Sequence, residues 1–199
     1  MNMDIHIINL ARRSDRKTRL IEELKRHEIT DYNFIDAIDG KTIDIEKMIS
    51  EGHDLLKSGE YGCYLSHLNI YKSILSSSEE LHLILEDDIY FSDNFKSRLR
   101  KKLHKIEHID WDIFYVGIND LQQKKCGKFV NSIEGIYCPD NILWGTHGYV
   151  IKKESVLKIM DLLTPIKLPI DHCLMLLDIK RLTLVNPLVK TYNKDSDTA

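Results

Sequence analysis

Leu81-His82-Leu83-Ile84-Leu85-Glu86-Asp87-Asp88 starts as a mostly apolar run and stops on three carboxylates. A short apolar run of this kind suits a strand covered on both faces, as in a parallel sheet between helices. Three adjacent acids at its end repel one another unless solvent, a cation or basic side chains compensate. Clustered carboxylate oxygens hold Mg2+ or Mn2+, and such ions in turn hold phosphate oxygens. A solvated strand end with no ligand has the same pattern, so the triplet alone does not decide between the two.

The flanking sequence alternates strand and helix signals. Asp4 to Leu10 reads as a strand. Ser14 offers an N-cap for a helix to His27 that carries Leu20, Ile21 and Leu24 at helical spacing. Tyr32 to Ala37 reads as the next strand, and Asp39-Gly40 as a turn. Strand, helix, strand is the opening of a parallel α/β sheet. Ile43 to Lys57 is weakly patterned, and Ser58-Gly59 reads as a break. Ser66 is placed to cap a helix bearing Leu68, Tyr71, Ile74 and Leu75. Beyond the acidic triplet, Asp93 is placed to cap a helix bearing Phe95, Leu99, Leu103 and Ile106. Asp112 to Gly117 reads as a strand and Lys128 to Cys138 as a hairpin around Glu134-Gly135. Then come a strand from Trp144 to Lys152, helices over 154–163 and 170–179, and a strand from Leu182 to Val185.

The 199 residues, 43% hydrophobic and 30% charged, support one sizeable core, taken as a single domain over 1–192 with a loose polar tail over 193–199. A net charge of −3 argues against a nucleic-acid partner, although Arg12, Arg13, Arg16, Lys17 and Arg19 crowd one stretch. Cys63, Cys126, Cys138 and Cys173 form no CxxC pair, which argues against a zinc site. No signal peptide is evident, and no apolar run approaches the ~18 residues of a membrane span. A cytoplasmic chain with reduced thiols is the expectation, with peripheral contact to the inner face of the membrane left open.

Three further stretches carry chemistry. Asn9-Leu10-Ala11-Arg12-Arg13-Ser14-Asp15-Arg16 lies where the first strand turns into a helix, a place that favours anions such as a phosphate or nucleotide. It lacks the glycines of a P-loop or dinucleotide fingerprint. Gly59-Glu60-Tyr61-Gly62-Cys63-Tyr64-Leu65-Ser66-His67 allows tight backbone paths and offers a hydroxyl and an imidazole. Cys63 and His67 at i, i+4 make a poor metal site as a lone pair. Trp144-Gly145-Thr146-His147-Gly148-Tyr149 is followed by Pro169-Ile170-Asp171, where Asp171 suits either a general base or an N-cap.

In this order these pieces resemble glycosyltransferase family 25, the lipopolysaccharide and collagen galactosyltransferase family. The resemblance rests on the Asn-Leu start with Arg12, Asp15 and Arg16, and on Ala37-Ile38-Asp39-Gly40. It rests also on Tyr115-Val116-Gly117, Thr146-His147-Gly148-Tyr149 and Pro169-Ile170-Asp171. Most specific is Gly62-Cys63-x-x-Ser66-His67 followed ~20 residues later by Glu86-Asp87-Asp88. It runs from about Ile5 to Tyr192.

The resemblance implies a GT-A-like (Rossmann-like) α/β domain with a central, mostly parallel sheet flanked by helices. It implies an inverting transferase that uses a UDP-sugar, most often UDP-galactose, with Mn2+ or Mg2+ and a glycolipid or oligosaccharide acceptor. Glu86 and Asp88 would then be metal ligands. Asn9, Arg12, Asp15, Arg16, Ala37, Asp39 and Asp87 would lie around the nucleotide, and Asp171 would be the base. Glu60, Ser66, His67, Thr146 and His147 would lie on the acceptor side, with Glu60 and His67 as weaker candidates for the base. No late metal ligand stands out; His172, Asp195 and Asp197 are equal guesses. Gly148 stands where the family more often has alanine. Two alternatives are a metal-dependent nucleotidyltransferase or phosphohydrolase on a similar sheet, and a nucleotide-sugar binding module without turnover.

Overall fold

The structure, a computed structural model, describes residues 2–118, 128–129, 135–139 and 144–192. Its centre is an eight-stranded sheet in the order β2-β1-β3-β8-β5-β9-β7-β6. The strands are β1 (Asp4–Asn9), β2 (Asn33–Asp36), β3 (Leu81–Glu86), β5 (Ile113–Gly117), β6 (Lys128–Phe129), β7 (Ile136–Cys138), β8 (Gly148–Lys152) and β9 (Arg181–Leu184). β2, β1, β3, β5, β9 and β6 run one way, and β8 and β7 run against them. The expected α/β architecture, mostly parallel in strand direction, is therefore present. A separate two-stranded ribbon pairs β4 (Ile89–Phe91) with β10 (Val189–Thr191), neither of which the sequence pattern announced.

The apolar run of β3 is covered on both faces, as its composition requires. Leu83 and Leu85 face one core with Leu20 and Leu24 of α1 (Ser14–Arg26) and Phe95, Leu99 and Leu103 of α4 (Phe95–Lys105). Ile84 faces the other core with Tyr64, Leu68 and Tyr71 of α3 (Ser58–Ile74), Val156 and Ile159 of α5 (Lys153–Met160), and Ile170 and Leu174 of α6 (Ile170–Leu176). Period-two alternation across a sheet thus builds both cores from one strand.

Several boundaries differ from the sequence expectation. The N-cap of α1 is Arg13, so Ser14 is the first helical residue, and α4 is capped by Asn94, in the left-handed region at φ 57°, rather than Asp93. α2 (Ile45–Ser50) is capped by Asp44, whose carboxylate accepts from the Lys47 amide. Ser58-Gly59 does not break the chain. α3 starts there and runs through Gly62 and Ser66, so Ser66 is a mid-helix residue and not a cap. Gly62 has a packing role: a Cβ there would stand 2.6 Å from the Ile38 carbonyl oxygen and 2.8 Å from the Gly40 amide nitrogen. The helix uses glycine to lie against the backbone after β2, and that contact outweighs glycine's poor helix propensity. The 128–138 hairpin is present as the antiparallel β6–β7 pair, while Glu134 at its turn lies outside the described residues. So do Cys126 and the 193–199 tail.

Candidate active site

Parallel pairing sets Asn9 of β1 beside Asp36 of β2, and Ile8 beside Glu86 of β3. The carboxyl ends of three strands therefore meet at one edge, where open α/β sheets bind ligands. A cavity of about 190 Å³ opens there. Its walls include Arg12 and Arg16, then Ala37 to Lys41, then Cys63, Ser66 and His67 of α3, with the acidic triplet at its edge.

The three acids have different partners. Asp87 is 5% exposed and fully engaged: Arg16 Nη1 donates to Oδ1 at 3.0 Å and Asn9 Nδ2 to Oδ2 at 2.7 Å. Burial pushes its pKa up even so, against the pull of Arg16 and Asn9. Glu86 accepts from Thr146 Oγ1 at 2.7 Å and stands 3.9 Å from His67 Nε2. Burial opposes its charge, but His67, His147 and Thr146 together hold it below the usual carboxylate range. Asp88 has the least compensation. Its Oδ1 is buried without a hydrogen-bond partner, and its other oxygen is 3.9 Å from Arg16. Burial, then the charge of Glu86, pushes its pKa up to about 7.

This is a site short of positive charge. A divalent cation supplies it, and the unpartnered Asp88 Oδ1 with a Glu86 oxygen nearby is a carboxylate donor set that suits Mg2+ or Mn2+. Asp87 is committed first to Arg16 and Asn9, one on each oxygen, and so holds the turn.

The remaining predicted residues divide clearly. Arg12 Nε donates to Asp39 Oδ2 at 2.8 Å, and Asp39 also accepts from the Lys41 amide at 3.1 Å. These two hydrogen bonds, the Lys41 one first, hold Asp39 below its ordinary pKa. The Ala37 amide donates to the Asn9 carbonyl at 2.9 Å, which keeps the β2 exit on the cavity wall. Asp15 is turned away from the cavity: Arg13 holds it through two hydrogen bonds of 3.1 Å, lowering its pKa to about 2. Glu60 is half-buried at the start of α3, accepting from the Lys57 amide at 2.9 Å, and it does not line the cavity. Ser66 donates to the Gly62 carbonyl at 2.6 Å and accepts from the Ile38 amide at 2.9 Å, so it stitches the helix to the wall.

His67 is fully buried. Its Nδ1 meets the Tyr149 hydroxyl at 2.8 Å, and that hydroxyl meets Tyr71 at 2.7 Å. Its Nε2 has no hydrogen-bond partner and faces Glu86. The expected lone Cys63–His67 pair is therefore joined by Glu86, with the three ligand atoms within 4.8 Å of one another. His147 packs against Gly117, and its carbonyl accepts from the Glu86 amide at 3.2 Å. Asp171 is not an N-cap, since Pro169 takes that position. Its Oδ2 accepts from the Gly145 amide at 3.0 Å and its Oδ1 from the His172 amide at 2.9 Å. It thereby ties α6 to the segment entering β8.

Two features escaped the sequence. Lys41 lines the cavity, with nothing to distinguish it from any turn lysine. Tyr192 donates its amide to the Asp88 carbonyl at 2.9 Å, bringing the β10 end to the acidic turn. Of the guesses for a late ligand, His172 lies against the Trp144 ring, and Asp195 and Asp197 are outside the described residues.

The fold is that of the GT-A glycosyltransferases. The galactosyltransferase LgtC, in a crystal structure with donor and acceptor sugar analogues, superposes with a TM-score of 0.55 at 11% identity, over 96% of this chain and 87% of that one. A glycosyltransferase involved in glycosylating the major capsid of PBCV-1 gives 0.53 at 9% identity, over 98% and 95%. The family model for glycosyltransferase family 25 (LPS biosynthesis protein) matches residues 2–174, and the chain belongs to that family. Procollagen galactosyltransferase 2 of Homo sapiens is 31% identical over 79% of this chain and 27% of its own length. Procollagen galactosyltransferase 1 of Danio rerio is 33% identical over 86% and 30%. The inactive glycosyltransferase 25 family member 3 of Homo sapiens is 28% identical over 86% and 31%. The chain thus spans less than a third of the length of these relatives.

Proposed function

We propose that the protein is an inverting, metal-assisted glycosyltransferase that moves a hexose, most simply galactose from UDP-galactose, onto a lipooligosaccharide or other surface glycan. The observation that carries this is Asp88: a buried carboxylate oxygen without a partner, at the edge of a cavity walled by Arg12, Arg16 and Lys41. Acid on one side and guanidinium and ammonium on the other suit a cation and a diphosphate together.

A divalent cation held by Asp88 and Glu86 would supply charge that stabilises the departing diphosphate. The chain's own groups do the rest. Asn9 and Arg16 fix Asp87 and so shape the turn that presents Asp88. The Ala37–Lys41 wall, with Asp39 held by Arg12, receives the nucleoside. Asp171 takes the proton of the acceptor hydroxyl as that oxygen bonds to the sugar C1. The C1–phosphate oxygen bond breaks in the same displacement, and its electron pair leaves with UDP. His67 and Thr146 hold Glu86 in place.

The cell-biological part of the reading is a cytoplasmic protein resting on the inner membrane face. No helix of the described residues is long and apolar enough to cross a membrane. The exposed Lys96, Arg100, Lys101 and Lys105 of α4 offer attraction to anionic lipid.

The test is a donor screen with Mn2+, reading UDP release from UDP-galactose, UDP-glucose and the N-acetyl sugars. Release of UDP from one donor, lost in Asp88→Asn, is the expected result; release of pyrophosphate or inorganic phosphate instead would sink it. A second reading has support in the inactive human relative: a nucleotide-sugar binding module. Tight Mn2+-dependent donor binding with no transfer to any glycan acceptor would establish that reading in place of the first.

A further inference from the structure

The geometry points to a second metal site, for Zn2+ or a similar transition-metal ion, formed by Asp4, His6 and His82 at the opposite end of the sheet from the acidic triplet. At ~3.3 Å per residue, His82 and Glu86 lie about 13 Å apart along β3. This inference does not rest on the proposed transferase activity.

The residues come together through register. Asp4 of β1 pairs with His82 of β3, and His6 stands two residues further along β1, so all three side chains share one face. His6 Nε2 is 3.2 Å from His82 Nδ1, and His82 Nδ1 is 3.6 Å from Asp4 Oδ2. The three ligand atoms lie within 4.8 Å of one another. In a tetrahedral zinc site with bonds of ~2.0–2.1 Å, ligand atoms stand about 3.3–3.4 Å apart. The two measured edges bracket that value. The third edge, from His6 to the Asp4 oxygen, is within 4.8 Å and closes by a small side-chain rotation at the partly exposed Asp4.

The surroundings favour the metal-binding tautomer of His82. His82 Nε2 lies 2.9 Å from the Glu79 carbonyl, which only accepts, so Nε2 carries the proton and Nδ1 keeps its lone pair toward His6. A backbone carbonyl on the far nitrogen is the usual support for a ligating histidine. His6 stacks on His82 and, without an ion, donates Nε2–H to that lone pair; an ion takes the place of that proton, which moves to His6 Nδ1, a nitrogen with no other hydrogen-bond partner. Ser77 Oγ donates to Asp4 Oδ2 at 2.7 Å and fixes the carboxylate. The charged groups facing the cluster are Asp4, Glu79 and Lys153, and the Lys153 ammonium is engaged by the Ser77 carbonyl at 2.6 Å. Two imidazoles and one carboxylate are a zinc-type donor set, with a fourth position for water. They differ in kind from the all-carboxylate pair at the acidic triplet. A metal here would clamp β1 to β3 at their amino ends.

The experiment uses the untagged full chain carrying Cys63→Ser, which removes the Cys63, His67 and Glu86 group as a competing thiolate site. Zn2+ is titrated by calorimetry, Co2+ by visible absorption, and thermal unfolding is followed with and without Zn2+. Expected are one Zn2+ per chain and a tetrahedral Co2+ spectrum lacking thiolate charge transfer. At about 100-fold excess over Kd, Tm should rise by ~5–10 °C. His6→Gln removes all three signals, and Ser77→Ala weakens binding by about 10-fold. His82 is fully buried, so the ligand tested beside His6 is the partly exposed Asp4: Asp4→Asn should fold and lose at least ~10-fold in affinity. No Zn2+ binding by the Cys63→Ser chain, or binding unchanged in folded His6→Gln and Asp4→Asn, would overturn the assignment.

Discussion

Arg16 and Asp87 are joined at 3.0 Å across 71 positions of sequence, each of them only 5% exposed. The pair fastens the first turn of α1 to the acidic turn after β3. Asp87, the middle acid of the triplet, thus anchors the fold, and Asp88 beside it faces the cavity.

Asp87→Ala should therefore destabilise the protein by about 3–5 kcal/mol, because it removes the carboxylate that a buried guanidinium meets at 3.0 Å. Urea unfolding at neutral pH measures this.

Asp88→Asn should behave in the opposite way. It relieves repulsion among Glu86, Asp87 and Asp88, so metal-free stability should hold or rise by up to ~1 kcal/mol. Transfer activity should fall by more than ~100-fold. Mn2+ should raise the Tm of the unaltered protein and not that of the variant. A variant that loses stability and keeps activity would remove Asp88 from the metal site.

How much of this was legible beforehand follows from which residues interact with their sequence neighbours. The apolar run of β3, the helix patterns of α1 and α4, and the acidic and basic motifs are local, and they were readable. The α3 start was not, because Ser58-Gly59 read as a break, Gly62 as a tight backbone path and Ser66 as the cap. What makes Gly62 helical is the Ile38 and Gly40 backbone packed against it, more than 20 positions away in sequence. The site residues follow the same rule. Arg12, Arg16, Asp39 and Asp88 were visible as motif members. The turning away of Asp15 toward Arg13, the use of Glu60 at a helix start and the role of Lys41 depend on rotamer and turn geometry that no spacing reveals. The β4–β10 ribbon was missed because three-residue strands carry too little pattern.

Gly62→Ala should cost about 1–3 kcal/mol, since its new Cβ meets backbone rather than a side chain that can swing aside. Chemical denaturation reads the loss. Donor binding should weaken as well, as the 37–41 wall is pushed from α3.

Asp112 gives a pH signature away from the cavity. Burial opposes its charge, but the Lys180 amide at 2.8 Å, Lys158 at 2.9 Å and Ser155 at 2.8 Å together lower its pKa. A carboxylate with a depressed folded pKa stabilises the protein above its unfolded value near 3.8, and that stability is lost as pH falls through the depressed value. Asp112→Asn should reduce stability at pH 7 by about 1–3 kcal/mol. It should also flatten the dependence below pH 4, as followed by thermal melts across an acid series.

Tyr149→Phe removes a hydroxyl shared by His67 and Tyr71. A loss of about 1–2 kcal/mol is expected in unfolding measurements. Turnover should fall more than donor affinity, because His67 is then free to leave Glu86.

The strand β8 enters the sheet against its neighbours, between β3 and β5. A forward strand delivers its exit to the cavity edge; this reversed one delivers its entrance, the 144–147 segment with Thr146 and His147. Glu86 is thus held from two independent directions of the chain, by its own strand and by Thr146 and His147. A change of composition in the 144–147 segment can alter the hold on Glu86 while the β1 and β2 exits keep the cavity walls as they are.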